Sequence, residues 1–459
     1  MTWASKLAFF LICAAIIFTT LAYGTVHQPL IALFYILIAL IMILWALDGF
    51  IRGTVRFSRN VLQLPLLAAA SYGAIQVIPF GSIAETAGVS GIPNTISLDP
   101  FATRVSAAHF FALFIFFSAT LVFIDSAARL RKVVALIAIF GFVYSFFAIL
   151  QSVLSPGKIY GLYETRFAVP FGSFVNRHNF AAYMEMTICV PLGLLFAGAV
   201  NKDKRLLYIT AVALMGIALL LSGSRGGFVA LLGEVILLII LTTGSKKRGS
   251  LFLKAGLAVA LIAAIITGSL FVGGESSLTR LAETATSDDI TTDRAHIWRV
   301  TLDVIANNLP FGAGLGAFGV AYTQFDSYSG LERVEQAHND YLQVAADAGV
   351  VGIIIGGFLL FFLFRFGLKT AKIGNAYRRG VGVGAFAGCF AILVHSIFDF
   401  VLHTTAISVL FITLMSLIVT SLNRFEDDIE DLDGERKLRR KPSSVASISS
   451  ARRGSQKVL

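Results

Sequence analysis

The sequence predicts an all-α polytopic membrane protein with about twelve transmembrane helices and one large external helical loop. The mean hydropathy is +0.80, and 56% of the 459 residues are hydrophobic whereas only 14% are charged. An ordinary soluble protein carries about 25% charged residues. Because so few charges could not cover the core of a soluble chain this long, lipid is the expected solvent for much of the surface.

Apolar runs long enough to cross a hydrocarbon layer recur along most of the chain. They cover residues 6–23, 29–47, 61–79, 105–124, 133–151, 180–200, 205–222, 226–243, 252–272, 349–368, 380–397 and 403–422. The first run could pass for a signal peptide, but it is long for one and no clear small-residue cleavage site follows it. We therefore predict that it remains as the first helix.

The charges between these runs predict the orientation. If the N-terminus lies in the cytoplasm, the opposite loops are poor in positive charge, whereas every cytoplasmic connection carries several basic residues. These residues are Arg52, Arg56, Arg59, Arg129, Arg131, Lys132, Lys202, Lys204, Arg205, Lys246, Lys247, Arg248, Lys254, Lys369, Lys372, Arg378 and Arg379. Such a bias is typical of cytoplasmic loops. Both termini are therefore predicted to be cytoplasmic, with the working surface on the opposite face.

The spans divide the chain into five segments. They are helices one to five at 1–151, helices six to nine with their outer loops at 152–272, a large external loop at 273–348, helices ten to twelve at 349–422, and a tail at 423–459. The tail has acidic and basic clusters followed by many serines, a composition typical of disorder. We predict a disordered cytoplasmic tail whose basic cluster can touch anionic membrane lipids.

The large external loop is predicted to contain two helices. Thr292 or Asp293 can cap a helix that begins near Arg294, and the stretch Asn308–Pro310 is expected to end it. Its predicted apolar face consists of Trp298, Leu302 and Ile305. A second helix is predicted to start near Glu335 and to run toward the tenth span.

Two other classes of site find no support in the sequence. Cys13, Cys189 and Cys389 each lie in an apolar segment, where cysteine acts as a small hydrophobic residue. None has a partner at metal-ligand spacing, so neither a disulfide framework nor a zinc site is predicted. A net charge of +10 would suit nucleic acid in a soluble protein. Here the basic cytoplasmic loops account for it, and we predict no nucleic-acid partner.

Arg225 is the most informative single residue. It stands in the stretch Ser222–Gly227, a very short turn on the outer side, where an arginine departs from the positive-inside bias. An arginine near the hydrocarbon needs an anionic partner, and the flanking glycines let such a group approach the backbone closely. Bidentate binding of a phosphate is one interpretation. An arginine that only snorkels to the interface is the other.

The large loop supplies further candidates. Arg294 opens the predicted loop helix, whose N-terminus favours anions, so it could complete a diphosphate clamp; a surface pair with Asp293 is the alternative. His338 could deprotonate a hydroxyl or orient an acceptor. Asp340 is an alternative base, and a structural hydrogen bond is the competing interpretation. Arg299 is a weaker candidate for substrate binding because it is expected on the solvated face.

Polar residues among aromatic ones mark the remaining outer stretches. The candidates for binding a headgroup or sugar are Asn176, Arg177 and His178 before the sixth span, Tyr341 after His338, and Asp399 in the last outer turn. Asp399 could also pair with an arginine above it. An interfacial aromatic belt or a structural hydrogen-bond network would explain the same pattern. The glycine run Gly312–Gly316 follows a helix rather than a strand, so we interpret it as a flexible turn and not as a nucleotide site.

Five segments resemble the O-antigen ligase and polymerase family of the Wzy/WaaL type. They are Gly172–Ala181, Gly223–Gly227, Asp293–Trp298, Gly312–Phe318 and His338–Gln343. Each motif is weak alone, but their order, with the large external loop before the third-last span, is fairly specific. The resemblance covers about 160–403, and the first 150 residues add only helices.

The resemblance implies a membrane glycosyltransferase of the C type, in a bacterial inner membrane, that works without a metal or other cofactor. Its donor would be a glycan on polyprenyl diphosphate. Arg225, Arg294 and His338 match the places of the important polar groups, which implies an inverting displacement: the arginines hold the diphosphate, and the histidine positions or deprotonates the acceptor hydroxyl. The acceptor stays open between a lipid A core, another lipid-linked repeat and a protein hydroxyl, with a small preference for ligation to the core.

A transporter for a small solute, such as inorganic carbon, is the alternative of another class. Transporters place ionisable residues near the middle of the membrane. In this chain the middles of the predicted spans are nearly free of charge, with Glu185 and Glu234 as the main exceptions. A purely structural scaffold role would not explain the arginine at position 225 in the outer turn. The sequence therefore favours chemistry at the outer surface.

Overall fold

The predicted all-α polytopic fold is confirmed. The structure, a computed structural model, describes residues 1–86, 89–165, 168–243, 254–256, 258–260, 262–263, 265–267, 294–327 and 333–423. Its helices are α1 Trp3–Leu21, α2 Gln28–Arg52, α3 Leu64–Gln76, α4 Pro100–Phe123, α5 Ala127–Leu154, α6 Arg177–Phe196, α7 Lys202–Leu221, α8 Arg225–Thr242, α9 Lys254–Thr267, α10 Arg294–Asn308, α11 Phe318–Tyr322, α12 Asp340–Thr370, α13 Ala376–His395 and α14 Thr405–Leu422.

Two short antiparallel hairpins interrupt the helices, and the sequence did not predict them. One pairs β1 Ser82–Thr86 with β2 Val89–Pro93. The other pairs β3 Lys158–Ile159 with β4 Tyr163–Glu164. Both follow spans on the side predicted to be external, where the chain turns back toward the next helix.

Ten helices in the described residues are long and apolar enough to cross a membrane, two fewer than predicted. They are α1, α2, α4 to α8 and α12 to α14. The third and ninth predicted spans correspond to the shorter apolar helices Val61–Gln76 and α9. The third ends at Gln76, whose side chain donates hydrogen bonds to the carbonyls of Phe311 and Asp347 in the outer part of the fold. The chain then leaves the helix for the first hairpin.

The large loop contains helices near the predicted positions. Helix α10 covers Arg294–Asn308 and ends as predicted, whereas its predicted caps Thr292 and Asp293 lie outside the described residues. The predicted apolar face is wrong at Leu302, which is 56% exposed. The buried stripe is instead Val300, Thr301 and Val304, flanked by Ile297 and Ile305, because this side packs against α11 and α12.

The second loop helix and the tenth span adjoin within α12, where Gly349 has non-helical backbone, and α12 begins at Asp340 rather than near Glu335. The left-handed backbone of His338, with φ +50°, prevents an earlier start. The Asn339 side chain then caps α12 by accepting the N–H groups of Tyr341 and Leu342. A kink at Gly349, with φ +57°, marks the point where the tenth span was predicted to begin.

The glycine run is docked rather than flexible, so that prediction is wrong. Ala313 is fully buried and Leu315 is 8% exposed. The Ala313 N–H donates to the Ala346 carbonyl at 2.8 Å, and a Cβ added to Gly314 would lie only 2.3 Å from the Ser97 hydroxyl. The run is therefore a tight turn held between α12 and the segment before α4.

Helix α13 packs against α6, α8 and α14. It approaches α6 through small residues: a Cβ at Gly384 would lie 2.5 Å from the Cys189 carbonyl, and one at Gly193 would lie 2.5 Å from the Gly380 carbonyl. Small residues at such spacing let membrane helices pack backbone to backbone. Because α6 and α13 begin or end beside the candidate site, this contact fixes the frame on which the site is built.

The opposite end of the bundle gathers several predicted cytoplasmic arginines. Arg52 and Arg56 pair with Asp48 at 2.9 and 3.1 Å, and Arg56 and Arg129 pair with Asp125 at 2.7 and 3.2 Å. The predicted basic loop at 246–248 and the predicted disordered tail from residue 424 onward lie outside the described residues.

Candidate active site

Two residues of the large loop meet at one buried carboxylate. Asp399, 2% exposed, lies in the turn between α13 and a short 3-10 helix at Val401–His403. Its Oδ1 is 3.1 Å from His338 Nδ1, and its Oδ2 is 3.4 Å from Arg294 Nη2. Arg294 Nη1 also donates to the Phe398 carbonyl. The predicted pairing of Asp399 with an arginine is thereby confirmed.

The charge state of Asp399 sets the tautomer of His338. Burial alone would raise the pKa of the Asp399 carboxyl, but the hydrogen bond from His338 and the nearby Arg294 guanidinium hold that pKa well below its usual range. An ionised carboxylate can only accept hydrogen bonds. His338 Nδ1 must therefore carry a proton, and in the neutral imidazole the lone pair lies on Nε2.

The backbone of His338 is strained. Its φ of +50° places a non-glycine residue in the left-handed region, which costs about 1–3 kcal/mol and persists only where the surroundings impose it. On one side, Asn339 Nδ2 donates to the Ile397 carbonyl at 3.0 Å. The imidazole also contacts the Phe400 ring edge-on, with 4.8 Å between the ring centroids. Such strain is typical of functional sites.

The N-terminus of α8 lies beside the same carboxylate. Ser224 caps this helix, since its Oγ accepts the Gly227 N–H at 3.2 Å, and the same Oγ lies 3.0 Å from His178 Nδ1. That Nδ1 is 4.0 Å from Asp399 Oδ2. Arg225 is the first residue of α8 and is exposed. A helix N-terminus favours anions, so this corner of the site combines a helix dipole with the arginine that begins the helix.

Arg177 and Asn176 lie next to this turn. A Cβ added to Gly223 would lie 3.5 Å from Arg177 Nη1, so the Arg177 guanidinium borders the turn that precedes Arg225. Asn176 caps α6 by accepting the His178 N–H at 2.9 Å. Its observed contact is local and structural, whereas His178 reaches the centre of the site.

Asp340 is connected to the turn instead of lying free as a base. Its Oδ2 accepts the Ser396 hydroxyl at 2.7 Å and the Leu402 N–H at 3.3 Å, and its Oδ1 is 3.0 Å from His403 Nδ1. Burial lowers the pKa of His403, but the hydrogen bond and the charge of Asp340 outweigh it and raise that pKa above its ordinary value. This network ties the start of α12 to the last outer turn.

The two remaining candidates lie outside the cluster. Tyr341 is 41% exposed, and its hydroxyl donates to the Leu393 carbonyl at 2.7 Å. Arg299 is exposed and lies farther along α10 than Arg294, as its predicted place on the solvated face requires.

The sequence did not single out several groups that build the site. Ser224, Ser396 and His403 lie inside stretches noted for other residues. The buried pair of Glu185 and His395, with 2.8 Å between Glu185 Oε1 and His395 Nδ1, lies directly beneath, because a Cβ at Gly226 would be 2.9 Å from the His395 ring. A charge in the middle of a span was the available signal for Glu185, but nothing in the sequence pairs it with His395.

Cationic groups at this site come from the chain itself. Within the described residues, no group of three or more His, Cys, Asp or Glu side chains is arranged to hold a metal ion. Arg294 uses two of its N–H groups on Phe398 and Asp399, and a guanidinium has five. The arrangement can therefore bind an anion with guanidinium groups and the helix end while an imidazole nitrogen accepts a proton.

Part of the chain matches a known protein family. Residues 210–357 match the family model described as O-antigen ligase. This match supports a relationship to the O-antigen ligase and polymerase family. The match contains Arg225, Arg294 and His338, and Asp399 lies beyond it. No curated protein matches the chain significantly.

The match supports a coarse function for the chain. Members of the O-antigen ligase family are glycosyltransferase-like enzymes, and the family implies in general a polyprenyl-linked glycan donor and a lipid acceptor. Together with the many apolar helices, the family indicates a multi-pass membrane protein.

Proposed function

We propose that the protein is an O-antigen ligase that moves a glycan from polyprenyl diphosphate to a hydroxyl of a lipid A core, on the periplasmic face of a bacterial inner membrane. One observation carries the proposal. Arg294 and His338 meet at Asp399, and His178 Nδ1 lies 3.0 Å from the Oγ of Ser224, which precedes Arg225, and 4.0 Å from Asp399 Oδ2. Cations beside a neutral imidazole suit a diphosphate leaving group and a hydroxyl nucleophile.

The cationic side of the site acts on the leaving group. As the bond between the anomeric carbon and the diphosphate oxygen breaks, negative charge grows on the diphosphate. Arg225, Arg294 and the N-terminus of α8 stabilise that charge, and Arg177 and His178 contribute to binding the donor. Because guanidinium groups and a helix dipole do this, the proposed reaction runs without a metal or another cofactor, where many soluble enzymes use Mg²⁺.

The imidazole acts on the nucleophile. His338 Nε2 takes the proton of the acceptor hydroxyl as its oxygen bonds to the anomeric carbon from the side opposite the diphosphate, so the configuration inverts. Asp399 keeps the imidazole in the required tautomer and stabilises the imidazolium that forms, as a carboxylate does in a catalytic triad. Asp399 is thus proposed to orient His338 rather than to contact the sugar.

Complementation of a deletion strain tests these roles. We expect Arg225→Ala, Arg294→Ala and His338→Ala each to lower glycan transfer by at least about 100-fold, since each removes a group that acts in the transition state. Arg333→Ala, which changes an exposed arginine paired with Glu335 on the same loop, should transfer normally. Transfer is measured on gels of surface glycolipids, with immunoblots of the membrane fraction to establish insertion. Normal transfer by inserted Arg225→Ala and Arg294→Ala proteins would overturn the clamp.

The same strain distinguishes the acceptors, because mass spectrometry resolves the lipid-linked glycan. Full-length glycan stranded on polyprenyl diphosphate, beside a bare lipid A core, is the result expected of a ligase. Single repeats in place of long chains would instead assign the protein as an O-antigen or exopolysaccharide polymerase, which uses the same donor. Unchanged glycans would contradict both and favour a protein acceptor or transport.

A further inference from the structure

We propose that Gln343 and Asp347 are positioning residues that hold His338 in its working orientation, and that the glycine run Gly312–Gly316 supports them. The inference rests on the proposed role of His338. It assigns a role to the glycine run and to the buried carboxyl of Asp347, which the proposed reaction does not otherwise use.

The first step is the contact between Gln343 and the backbone before the histidine. The Ala337 N–H donates to Gln343 Oε1 at 2.7 Å, and both residues are almost completely buried, with 0% and 1% of their surfaces exposed. This bond anchors Ala337, the residue before His338, through the peptide between Gln336 and Ala337. Asn339, the residue after His338, is anchored by its side chain, since its Nδ2 donates to the Ile397 carbonyl. The left-handed backbone of His338 is thus restrained on both sides.

The second step is the contact between Gln343 and Asp347, one turn farther along α12. Gln343 Nε2 donates to Asp347 Oδ2 at 3.2 Å, which fixes the amide so that its oxygen faces Ala337. Without this donor contact the amide could rotate and present its NH₂ group to a backbone N–H, which cannot accept it. Asp347 therefore determines which end of the Gln343 amide faces the histidine.

The third step connects Asp347 with the glycine run. Asp347 Oδ2 also accepts the Gly316 N–H at 3.1 Å, and its backbone carbonyl accepts the Gly314 N–H at 2.9 Å and Gln76 Nε2 at 3.0 Å. A Cβ at Gly312 would lie 2.5 Å from the same carbonyl, so only glycine fits there. Helix α3, the glycine run and α12 thus meet at Asp347. Gln343 connects Asp347 with the backbone just before His338.

Steady-state kinetics of the purified full-length protein, with lipid-linked glycan and lipid A core, tests the proposal. Gln343→Leu removes both hydrogen bonds at similar volume. We expect kcat to fall on the order of 10- to 100-fold, because a small displacement of a catalytic group has an effect of that size. KM for the donor should change less than about 2-fold, since no arginine contact is altered. Gln324→Leu, the same change at an exposed position of the outer loop, should match wild type.

The Asp347 variants provide a conservative rescue and a second route if Gln343→Leu does not insert. Asp347→Asn keeps an oxygen that can accept Gly316 and Gln343, so kcat should stay within about 3-fold of wild type. Asp347→Ala removes that acceptor and should behave like Gln343→Leu. Equal kcat for the Asn and Ala variants, or a lower donor affinity without a change in kcat, would overturn the proposal.

A double-mutant cycle separates positioning of His338 from a general structural effect. In a His338→Gln background, adding Gln343→Leu should change the residual rate less than about 2-fold, because the group that it positions is already gone. If the double variant instead loses rate by the product of the two single-variant losses, Gln343 acts independently of His338, and the proposal is overturned. Wild-type activity of His338→Gln would instead overturn the proposed function. An impaired His338→Gln together with a fully active Gln343→Leu would overturn this inference alone.

Discussion

The Asp399 carboxyl experiences two opposing effects, burial that raises its pKa and neighbouring donors that lower it. The lowering wins because His338 and Arg294 both contact the charged form. A folded-state pKa below the unfolded value contributes stability that is present above the unfolded pKa and is lost as the pH falls through the folded pKa. Asp399 is therefore expected to stay ionised wherever the protein works, so its partners remain oriented.

Asp399→Asn tests this assignment. The variant loses the charge that Arg294 and His338 contact, so we expect lower thermal stability than wild type at pH 7. The stability difference between the two proteins should narrow below about pH 4. There the unfolded wild-type carboxyl takes up a proton, so the stability that the ionised native carboxyl contributes is progressively lost. Size-exclusion chromatography of detergent-solubilised protein after heating, at several pH values, measures the stability difference at pH 7 and its change with pH. Equal melting of the two proteins at pH 7 would contradict the assignment.

Residue types and local order selected Arg225, Arg294 and His338 as candidates, because arginine outside the positive-inside pattern and histidine on an outer loop stand out locally. The sequence also suggested an arginine partner for Asp399. It could not predict the contact of His178 with Ser224, nor that Asp340 is committed to Ser396 and His403. Those contacts depend on how distant helices end beside one another.

Helix length and packing depend on tertiary contacts more than on hydropathy. Hydropathy located most spans correctly, because a run of apolar residues long enough to cross lipid has few other uses. It could not predict that α3 ends where Gln76 contacts the outer part of the fold, or that the second loop helix begins only at Asp340. The buried face of α10 was misassigned because its partners, α11 and α12, are set by the rest of the loop.

The contact of α6 with α13 makes an element-scale prediction. Gly384→Ala places a methyl 2.5 Å from the Cys189 carbonyl, and the two helices must separate to accept it. We expect a loss of about 1–3 kcal/mol of stability, typical of overpacking, and reduced transfer because both helices carry site residues. Thermal unfolding in detergent measures the stability.

A glycine with open space provides the matched control. Gly357→Ala on α12 adds a methyl that meets nothing within 4 Å, and alanine favours a helix interior by about 0.5–1 kcal/mol over glycine. This variant should be as stable as wild type or slightly more so. If Gly384→Ala behaved in the same way, the close approach of α6 and α13 would not limit the fold.

At the scale of the whole molecule, the two ends of the bundle have different chemistry. One end pairs arginines with Asp48 and Asp125, in connections that the charge bias predicts to be cytoplasmic. The other end carries the candidate site and the large loop. Since the proposed transfer takes place on the periplasmic face, the proposed function requires the site end to face the periplasm.

Single cysteines at the two ends test that orientation. Thr323→Cys lies at an exposed position of the large loop, and Gly374→Cys lies in the exposed connection between α12 and α13, where a side chain meets nothing within 4 Å. A membrane-impermeant maleimide should label Thr323→Cys in intact spheroplasts and Gly374→Cys only after the membrane is disrupted. Wild type gives the background, which should be low because Cys189 and Cys389 are buried and Cys13 lies within the span α1. The reverse pattern would place the Arg225 turn in the cytoplasm. That result would contradict both the orientation predicted from the charge bias and the proposed periplasmic acceptor.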